Sequence, residues 1–134
     1  MGHSEGEDLL EEQKKSYGLF DRCKEFVLEI WTFCDDIPDS ATGRNVTYQL
    51  TRSASSVGAN FRAAFRGRSV KEYIAKLGIA LEESDETCYW LELIQAYPKW
   101  SDLHAEAAVL HKEANELTAI ITSLIKKKKQ QLYV

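Results

Sequence analysis

The chain has 134 residues, of which 44% are hydrophobic and 28% are charged, and its formal net charge is −4 at pH 7. This length and composition suit one globular domain with its own core and lie outside the range of disordered proteins. No apolar run reaches the roughly 18 to 20 residues that cross a bilayer, and no leader with a basic and then an apolar region begins the chain, so we expect a cytoplasmic protein without membrane contacts.

The charges are segregated along the chain. Residues 1–39 and 77–125 each carry a net charge of −7, whereas residues 40–76 carry +6 and residues 126–134 carry +4. The acidic total argues against a general nucleic-acid binder, but the middle segment is locally basic.

The first predicted element follows an acidic, polar stretch, residues 1–14, which we interpret as a flexible lead-in because it has no sustained apolar period. Apolar residues then recur at spacings of three and four, as in a helix packed in a bundle: Phe20, Cys23, Val27, Ile30, Cys34 and Ile37. The spacing predicts a first helix from about Ser16 to Asp35, which ends before Pro38.

A second helix is predicted over about 41–66, where one side collects Val46, Leu50, Val57, Phe61, Ala64 and Phe65. Gly67 ends this helix, and Ser69 followed by Glu72 is a capping-box signature for the next one. The connection is so short that the second and third helices must lie antiparallel.

The third predicted helix, about 70–97, has two apolar faces. One face carries Tyr73, Leu77, Ala80, Leu81, Ser84, Cys88 and Leu91. A second apolar strip, roughly 100° away, consists of Ile79, Trp90, Ile94 and Tyr97. One antiparallel neighbour does not need both faces, so this strip predicts a wide core or a contact between subunits.

The fourth predicted helix starts from Ser101 as N-cap, after Pro98, and alternates spacings of four and three through Leu103, Ala107, Leu110, Ala114, Leu117, Ile121 and Leu124. Lys126 to Lys129 then place positive charge at the negative end of the helix dipole. Together the elements predict an all-α, antiparallel, up-down-up-down four-helix bundle over residues 15–129, with residues 130–134 as a tail.

Residue types that carry chemistry do not form a recognisable catalytic or metal motif. His104 and His111 lie seven residues apart, about 10.5 Å along a helix, which is too far to chelate one ion together. The acidic cluster Glu82, Glu83, Asp85 and Glu86 points in several directions around a helix, which favours a solvated face or an acidic contact surface. Cys23, Cys34 and Cys88 fall among apolar residues and are expected to be buried free thiols. We therefore expect no enzyme activity, no metal and no cofactor.

One constellation on the second helix indicates a binding surface. At about 100° per residue, an arginine stripe falls within about 80° of the helix circumference, opposite the apolar side: Arg44, Arg52, Arg62 and Arg66. No acidic residue occurs between positions 40 and 71, so the helix itself does not neutralise the stripe. Two interpretations are open: a solvated face or salt bridges to acidic helices of this chain or a neighbouring subunit, and a surface that contacts nucleic-acid phosphates.

The region around the second and third helices also resembles a known family. The matching features are Gln49-Leu50, Arg52, the small residues 53–56, Asn60, Gly67-Arg68-Ser69, Glu72-Tyr73, Leu77, Ile79-Ala80, Ser84 and Glu86. On these residues, and over about 17–125, the chain resembles the bacterial four-helix-bundle proteins encoded in intervening sequences of large-subunit ribosomal RNA genes, a family sometimes labelled a ribosomal protein.

The resemblance implies a homo-oligomer, typically a pentameric ring, with no established catalytic residues. A related branch assists the reverse transcriptase of diversity-generating retroelements and binds both enzyme and nucleic acid, so RNA or DNA and a cognate protein are both implied as partners. The chain departs from the family pattern after Asn60, where Phe61-Arg62-Ala63-Ala64 replaces a sequence like Ile-Ala-Glu-Gly. Its arginine stripe is therefore more basic than that of relatives.

Three hypotheses about function result. The leading one is a non-enzymatic, homo-oligomeric scaffold that associates with RNA or DNA through the arginine stripe. The second is a protein–protein interaction module without nucleic-acid binding, in which the arginines serve subunit or partner contacts. The third, an enzyme, would require a concave pocket with convergent polar groups of perturbed pKa.

Overall fold

The structure, a computed structural model, describes the backbone of residues 5–132 and the side chains of residues 18–132. Its elements are α1 (Glu5–Cys34), α2 (Ala41–Phe65), α3 (Val70–Ala96), a short 3₁₀ helix (Pro98–Leu103) and α4 (His104–Leu132). Residues 5–132 contain no strand, and none of their helices combines the length and apolarity needed to cross a membrane. The predicted all-α class with four helices is confirmed.

Side-chain contacts establish that consecutive helices are antiparallel. Near the α1–α2 turn, the Thr51 hydroxyl donates to Cys34 Sγ over 3.6 Å, whereas at the opposite end the rings of Phe20 and Phe65 lie 5.1 Å apart. Phe65 in turn packs edge-on against Tyr73, at the start of α3, with centroids 5.3 Å apart. The Nζ atom of Lys128, near the end of α4, lies 5.4 Å from the Tyr73 ring centroid.

The predicted bounds of α2 and α3 agree with the structure to within one residue, but those of α1 and α4 differ. Helical backbone begins at Glu5, eleven residues before the predicted start at Ser16. The residues between are mostly Glu, Leu, Gln and Lys, which favour helix without forming an apolar face. An apolar period therefore marks where a helix is buried, not where it begins. Of the predicted lead-in and tail, residues 1–4 and 133–134 lie outside the described residues.

The connection between α3 and α4 is more structured than predicted. Ser101 lies inside the 3₁₀ helix Pro98–Leu103 and is not the N-cap of α4, which starts at His104. The buried side chain of Trp100 holds this segment against the bundle, 5.0 Å from the Tyr97 ring. His104 Nε2 lies 2.8 Å from the Tyr97 carbonyl oxygen. By contrast, the predicted cap of α3 is confirmed, since Ser69 Oγ accepts from the Glu72 N–H at 3.0 Å.

The core agrees with the predicted apolar faces of α2, α3 and α4. Every predicted core position from Leu103, at the end of the 3₁₀ helix, to Ile121 on α4 is buried. On α1 the helix is rotated relative to the predicted face. Phe26 and Phe33, which the predicted spacing omitted, are 1% and 0% exposed, whereas Phe20 and Val27 are only partly buried. The partly buried side of α1 matters below because it borders a groove.

Pairs of hydroxyl groups lie on both sides of α3, buried towards α2 and partly buried towards α4. Towards α2, the Thr87 hydroxyl lies 2.9 Å from Ser53 Oγ. Towards α4, Ser84 Oγ lies 2.5 Å from Thr118 Oγ1. Because these side chains are small, the helices approach closely, and because they pair, no buried side-chain nitrogen or oxygen in residues 18–132 lacks a partner.

Truncation of Ile121 to Ala should lower the free energy of unfolding by roughly 2 to 5 kcal/mol, because it opens a cavity under a fully buried side chain. Urea titration followed by circular dichroism at one fixed protein concentration measures the change. Ser123→Ala is the control on the same turn, since Ser123 is exposed, and it should stay within about 0.5 kcal/mol. Equal effects of the two substitutions would contradict the position of Ile121 in the core.

Candidate functional site

The arginine stripe does not form one surface, because Arg52 is used inside the chain. Its Nη1 lies 3.0 Å from Glu83 Oε2 and its Nη2 lies 2.5 Å from Glu86 Oε2, both on α3. The guanidinium holds the pKa of the Glu86 carboxyl below its usual range, chiefly by this hydrogen bond. The structure thus shows for Arg52 the salt bridges to an acidic helix of the same chain, and its role as a phosphate ligand stays a prediction.

The other three arginines differ in their surroundings. Arg44, at the first turn of α2, forms a solvent-exposed ion pair with Asp39 at 2.9 Å. It stands about 27 Å along the helix from Arg62. Arg62 and Arg66 are exposed and have no ion-pair partner among the side chains of residues 18–132. Only this pair keeps the predicted availability for an anionic ligand.

The antiparallel arrangement adds other cations to Arg62 and Arg66. The end of α2, the start of α3 and the end of α4 meet at one end of the bundle, as the contact between Tyr73 and Lys128 shows. We define the basic end as Arg62, Arg66, Arg68, Lys71, Lys126, Lys127, Lys128 and Lys129. Among the described side chains, the acid that forms an ion pair within the basic end is Glu72, 3.9 Å from Arg68. Two basic sequence segments that are about 60 residues apart therefore form one surface.

A groove between α1 and α2 opens beside the basic end. The α1–α2 groove has a volume of about 1010 Å³. Its apolar surface comes from Phe20, Val27, Leu28, Trp31, Gly58, Ala59 and Phe65, and its charged residues are Asp21, Lys24, Arg62, Arg66 and Lys128. Leu28 and Trp31, three residues apart on α1, are 48% and 47% exposed, so together they form an exposed apolar patch. The groove is thus apolar along its length, and the described side chains contribute four cations and one acid to it.

Gly58 marks the close contact between α1 and α2 beside the groove. A Cβ atom at Gly58 would meet Val27 Cγ2 at 3.3 Å, so α1 and α2 are in close contact there. At one end of the groove, Trp31 Nε1 donates to Ser55 Oγ over 3.1 Å. At the other end, Lys128 lies over Tyr73. The groove is therefore a bounded channel on the outer side of the α1–α2 contact.

The groove contains a thiol but not a reactive one. Cys23 is 3% exposed, and its burial raises the pKa of the thiol to about 11. Burial also raises the pKa of Cys34 and of Cys88, and all three cysteines are free, as predicted. A thiol with this pKa stays protonated at neutral pH and is a poor nucleophile.

The apolar strip of α3, predicted as a subunit contact, is corrected at one position. Ile94 is 1% exposed and belongs to the core of its own chain. It lies about 60° around the helix from Ile79, on the edge of the buried face, whereas Leu93 lies only about 40° from Ile79 on the outer side. Leu93 is 40% and Ile79 38% exposed, and Trp90 and Tyr97 are partly buried against the core. An exposed apolar strip on α3 therefore includes Leu93 in place of Ile94.

Both histidine rings form hydrogen bonds with other residues of the chain. His104 Nε2 contacts the Tyr97 carbonyl, and His111 Nε2 lies 2.9 Å from Glu92 Oε1. Within residues 18–132, no group of three or more His, Cys, Asp or Glu side chains is arranged to hold a metal ion.

Several surface residues that organise the site were not identified from the sequence. Arg22 on α1 binds both carboxylate oxygens of Glu113 and also Glu116 on α4, which fixes the two helices together. Lys24 and Lys128 line the groove, but nothing in their spacing connects them. The one available signal was on α1, where Leu28 and Trp31 are apolar residues outside the predicted apolar face.

Comparison with known proteins gives the following similarities. A family model described as 23S rRNA-intervening sequence protein matches residues 15–123. A crystal structure of a protein of unknown function from the S23 ribosomal protein family of Bacteroides thetaiotaomicron superposes with a TM-score of 0.75 and 29% sequence identity, covering 84% of this chain and 98% of that chain. A search of curated proteins gives no match.

The ion pair of Arg52 with Glu86 should have a measurable coupling energy. A double-mutant cycle with Arg52→Ala and Glu86→Ala should give about 0.5 to 1 kcal/mol at pH 7, since both groups are partly exposed. Because the pKa of Glu86 is lowered, the stabilisation is present above the ordinary glutamate value of 4.5 and is lost as the pH falls through the folded-state pKa. The exposed pair Arg68 and Glu72 is the control and should show coupling near zero; coupling of equal size in the two cycles would contradict this geometry.

Proposed function

The chain belongs to the 23S rRNA-intervening sequence protein family, and on this premise we propose that it is a non-enzymatic, cytoplasmic scaffold that forms homo-oligomers and binds RNA or DNA through the basic end. The observation that carries the proposal is the gathering of exposed cations from α2 and α4 at one end of a bundle whose net charge is −4. Phosphate groups are the chemistry that such a surface recognises.

The charge distribution supports a localised interface over general adhesion to polyanions. Arg52 is paired with Glu83 and Glu86, and Arg22 with Glu113 and Glu116, so the middle of the bundle has its cations neutralised. Arg62 and Arg66 remain without ion pairs among the described side chains. A nucleic acid would therefore meet attraction at the basic end and repulsion along the acidic faces of α3 and α4, which would orient it.

Self-association is supported by exposed apolar side chains on the outer side of α3. Ile79, Tyr89 and Leu93 are 38%, 53% and 40% exposed, and Trp90 and Tyr97 border them. A monomer rarely leaves such a strip in contact with water. With Leu93 in place of Ile94, the strip remains the candidate contact for a ring, for which five subunits are favoured.

A second candidate function is a protein–protein interaction module that binds a cognate protein and no nucleic acid. It is favoured by the loss of Arg52 and Arg44 from the basic surface, since both are paired within the chain. The two candidates differ in whether the wild-type protein binds RNA at all, and the first also predicts that reversal of the lysines at the end of α4 abolishes that binding.

Light scattering should give a mass of about five times 15.3 kDa at micromolar concentration. Leu93→Glu should reduce the mass to that of a monomer, because a charge replaces an apolar contact in the proposed interface. Val109→Glu is the matched control: Val109 is 69% exposed on α4, and its substitution should leave the mass unchanged. A monomeric wild-type protein would refute the oligomer.

Binding to a fluorescein-labelled RNA hairpin should be detectable by anisotropy at about 50 mM salt, where electrostatic attraction is strong. If four phosphates are contacted per subunit, the logarithm of the affinity should fall with the logarithm of salt at a slope of about −3 to −4. Sequence preference should be weak, and the triple variant K126E/K127E/K129E should abolish binding.

The matched control reverses three cations that lie outside the basic end, R44E/K99E/K112E, and therefore changes the net charge by the same amount. It should weaken binding far less than the lysine variant. Equal losses would mean that net charge alone governs binding, and no affinity at about 50 mM salt would favour the protein-binding candidate.

A further inference from the structure

The α1–α2 groove has a property that binding to phosphates does not require, namely an apolar floor. Leu28 and Trp31 are each about half exposed along it, and Val27, Ala59 and Phe65 continue the apolar surface. Phosphate contacts depend on cations and are made on the polar surface of a nucleic acid. The floor therefore indicates a ligand with an apolar side of its own.

The length of the groove suits a helix. Its residues on α1 run from Phe20 to Trp31, which corresponds to about 16 Å, or three helical turns. The Trp31–Ser55 hydrogen bond lies at one end and Lys128 over Tyr73 lies at the other. Two helices that present a bounded apolar channel form the kind of groove into which a third, amphipathic helix inserts its apolar side chains.

The charges around the apolar floor favour a partner with negative charge. Among the side chains of residues 18–132, Lys24, Arg62, Arg66 and Lys128 line the groove, against the single acid Asp21. A helix with acidic residues flanking its apolar side would pair with these cations, whereas a basic helix would be repelled. Arg62 and Arg66 are available for such pairing, since neither has an ion-pair partner among the described side chains.

We propose that the α1–α2 groove is a docking site for an acidic amphipathic helix of a partner protein, about three to four turns long. Apolar side chains at every third or fourth position of that helix would contact Leu28, Val27 and Ala59. Its flanking carboxylates would meet Arg62, Arg66 and Lys24. The groove shares Arg62, Arg66 and Lys128 with the basic end, but the lysines at positions 126, 127 and 129, which the triple variant reverses, do not line it, so failure of peptide binding and failure of RNA binding can be distinguished.

A defined probe tests the proposal. We would use an 18-residue peptide, acetylated, amidated and labelled with fluorescein, with Leu at helical positions i, i+3, i+4 and i+7 and Glu on both flanks. Anisotropy should report binding by the full-length protein, with a dissociation constant below about 100 μM. A peptide with Lys in place of every Glu should bind at least tenfold more weakly, because the cations of the groove repel it.

Ala59→Trp fills the groove and should weaken binding of the Glu peptide at least tenfold. Ala108→Trp is the matched control, an exposed alanine on α4 that receives the same side chain, and should leave affinity unchanged. Leu28→Asn, with Val109→Asn as its control, gives a second, independent test that does not depend on filling space: it removes an apolar contact without adding a cation that would attract the Glu peptide, and it should also weaken binding. Light scattering and thermal unfolding of each variant establish that assembly and fold are retained.

Specific results would overturn the proposal. They are the absence of Glu-peptide binding, equal affinity for the Lys peptide, or equal effects of Ala59→Trp and its control. A change of solution mass with Ala59→Trp would identify the groove as a subunit contact, and loss of RNA binding with Ala59→Trp alone, without peptide binding, would identify it as a nucleic-acid surface. If K126E/K127E/K129E loses RNA but keeps the peptide, the groove and the proposed function at the basic end are independent.

Discussion

The close approach of α3 to both of its neighbours is the constraint on which the rest of the structure depends. At the two contacts the facing side chains are small and carry hydroxyl groups: Thr87 faces Ser53, and Ser84 faces Thr118. The first pair is buried and the second is partly buried, and a shift of register along either helix would put larger side chains where these small ones allow close approach. The pairs thereby fix where α2, α3 and α4 lie relative to one another.

That register determines which charges meet. With α2 fixed against α3, Arg52 falls opposite Glu83 and Glu86, and one member of the arginine stripe becomes part of the scaffold. With α4 fixed against α3, Lys128 comes to lie over Tyr73, beside the last turn of α2. The basic end is therefore a consequence of interior packing, because two neutral contacts decide the position of the exposed cations.

The first helix, α1, takes no part in these hydroxyl pairs. It packs mainly against α2 and is joined to α4 through Arg22 and its two glutamates. Because α1 approaches α2 at Gly58 and buries Phe26 and Phe33, its Leu28 and Trp31 are left on the outer side. The groove is the result, and it brings apolar and cationic side chains together in a way that neither helix does alone.

The sequence by itself determined the fold class, the bounds of α2 and α3, the cap at Ser69 and the buried face of α4, because helical periodicity and capping are local properties of the chain. It also identified the family, through residues of α2 and α3. Only the tertiary structure decided that Arg52 is paired, that Ile94 is interior, and that Arg62 and Arg66 share a surface with lysines about 60 residues away. A helical projection reports the angle of a side chain on its own helix, but it contains neither the rotation of that helix in the bundle nor the identity of the residue facing it. The function of a charged or apolar surface side chain depends on those two quantities, and in this protein the packing around α3 sets them.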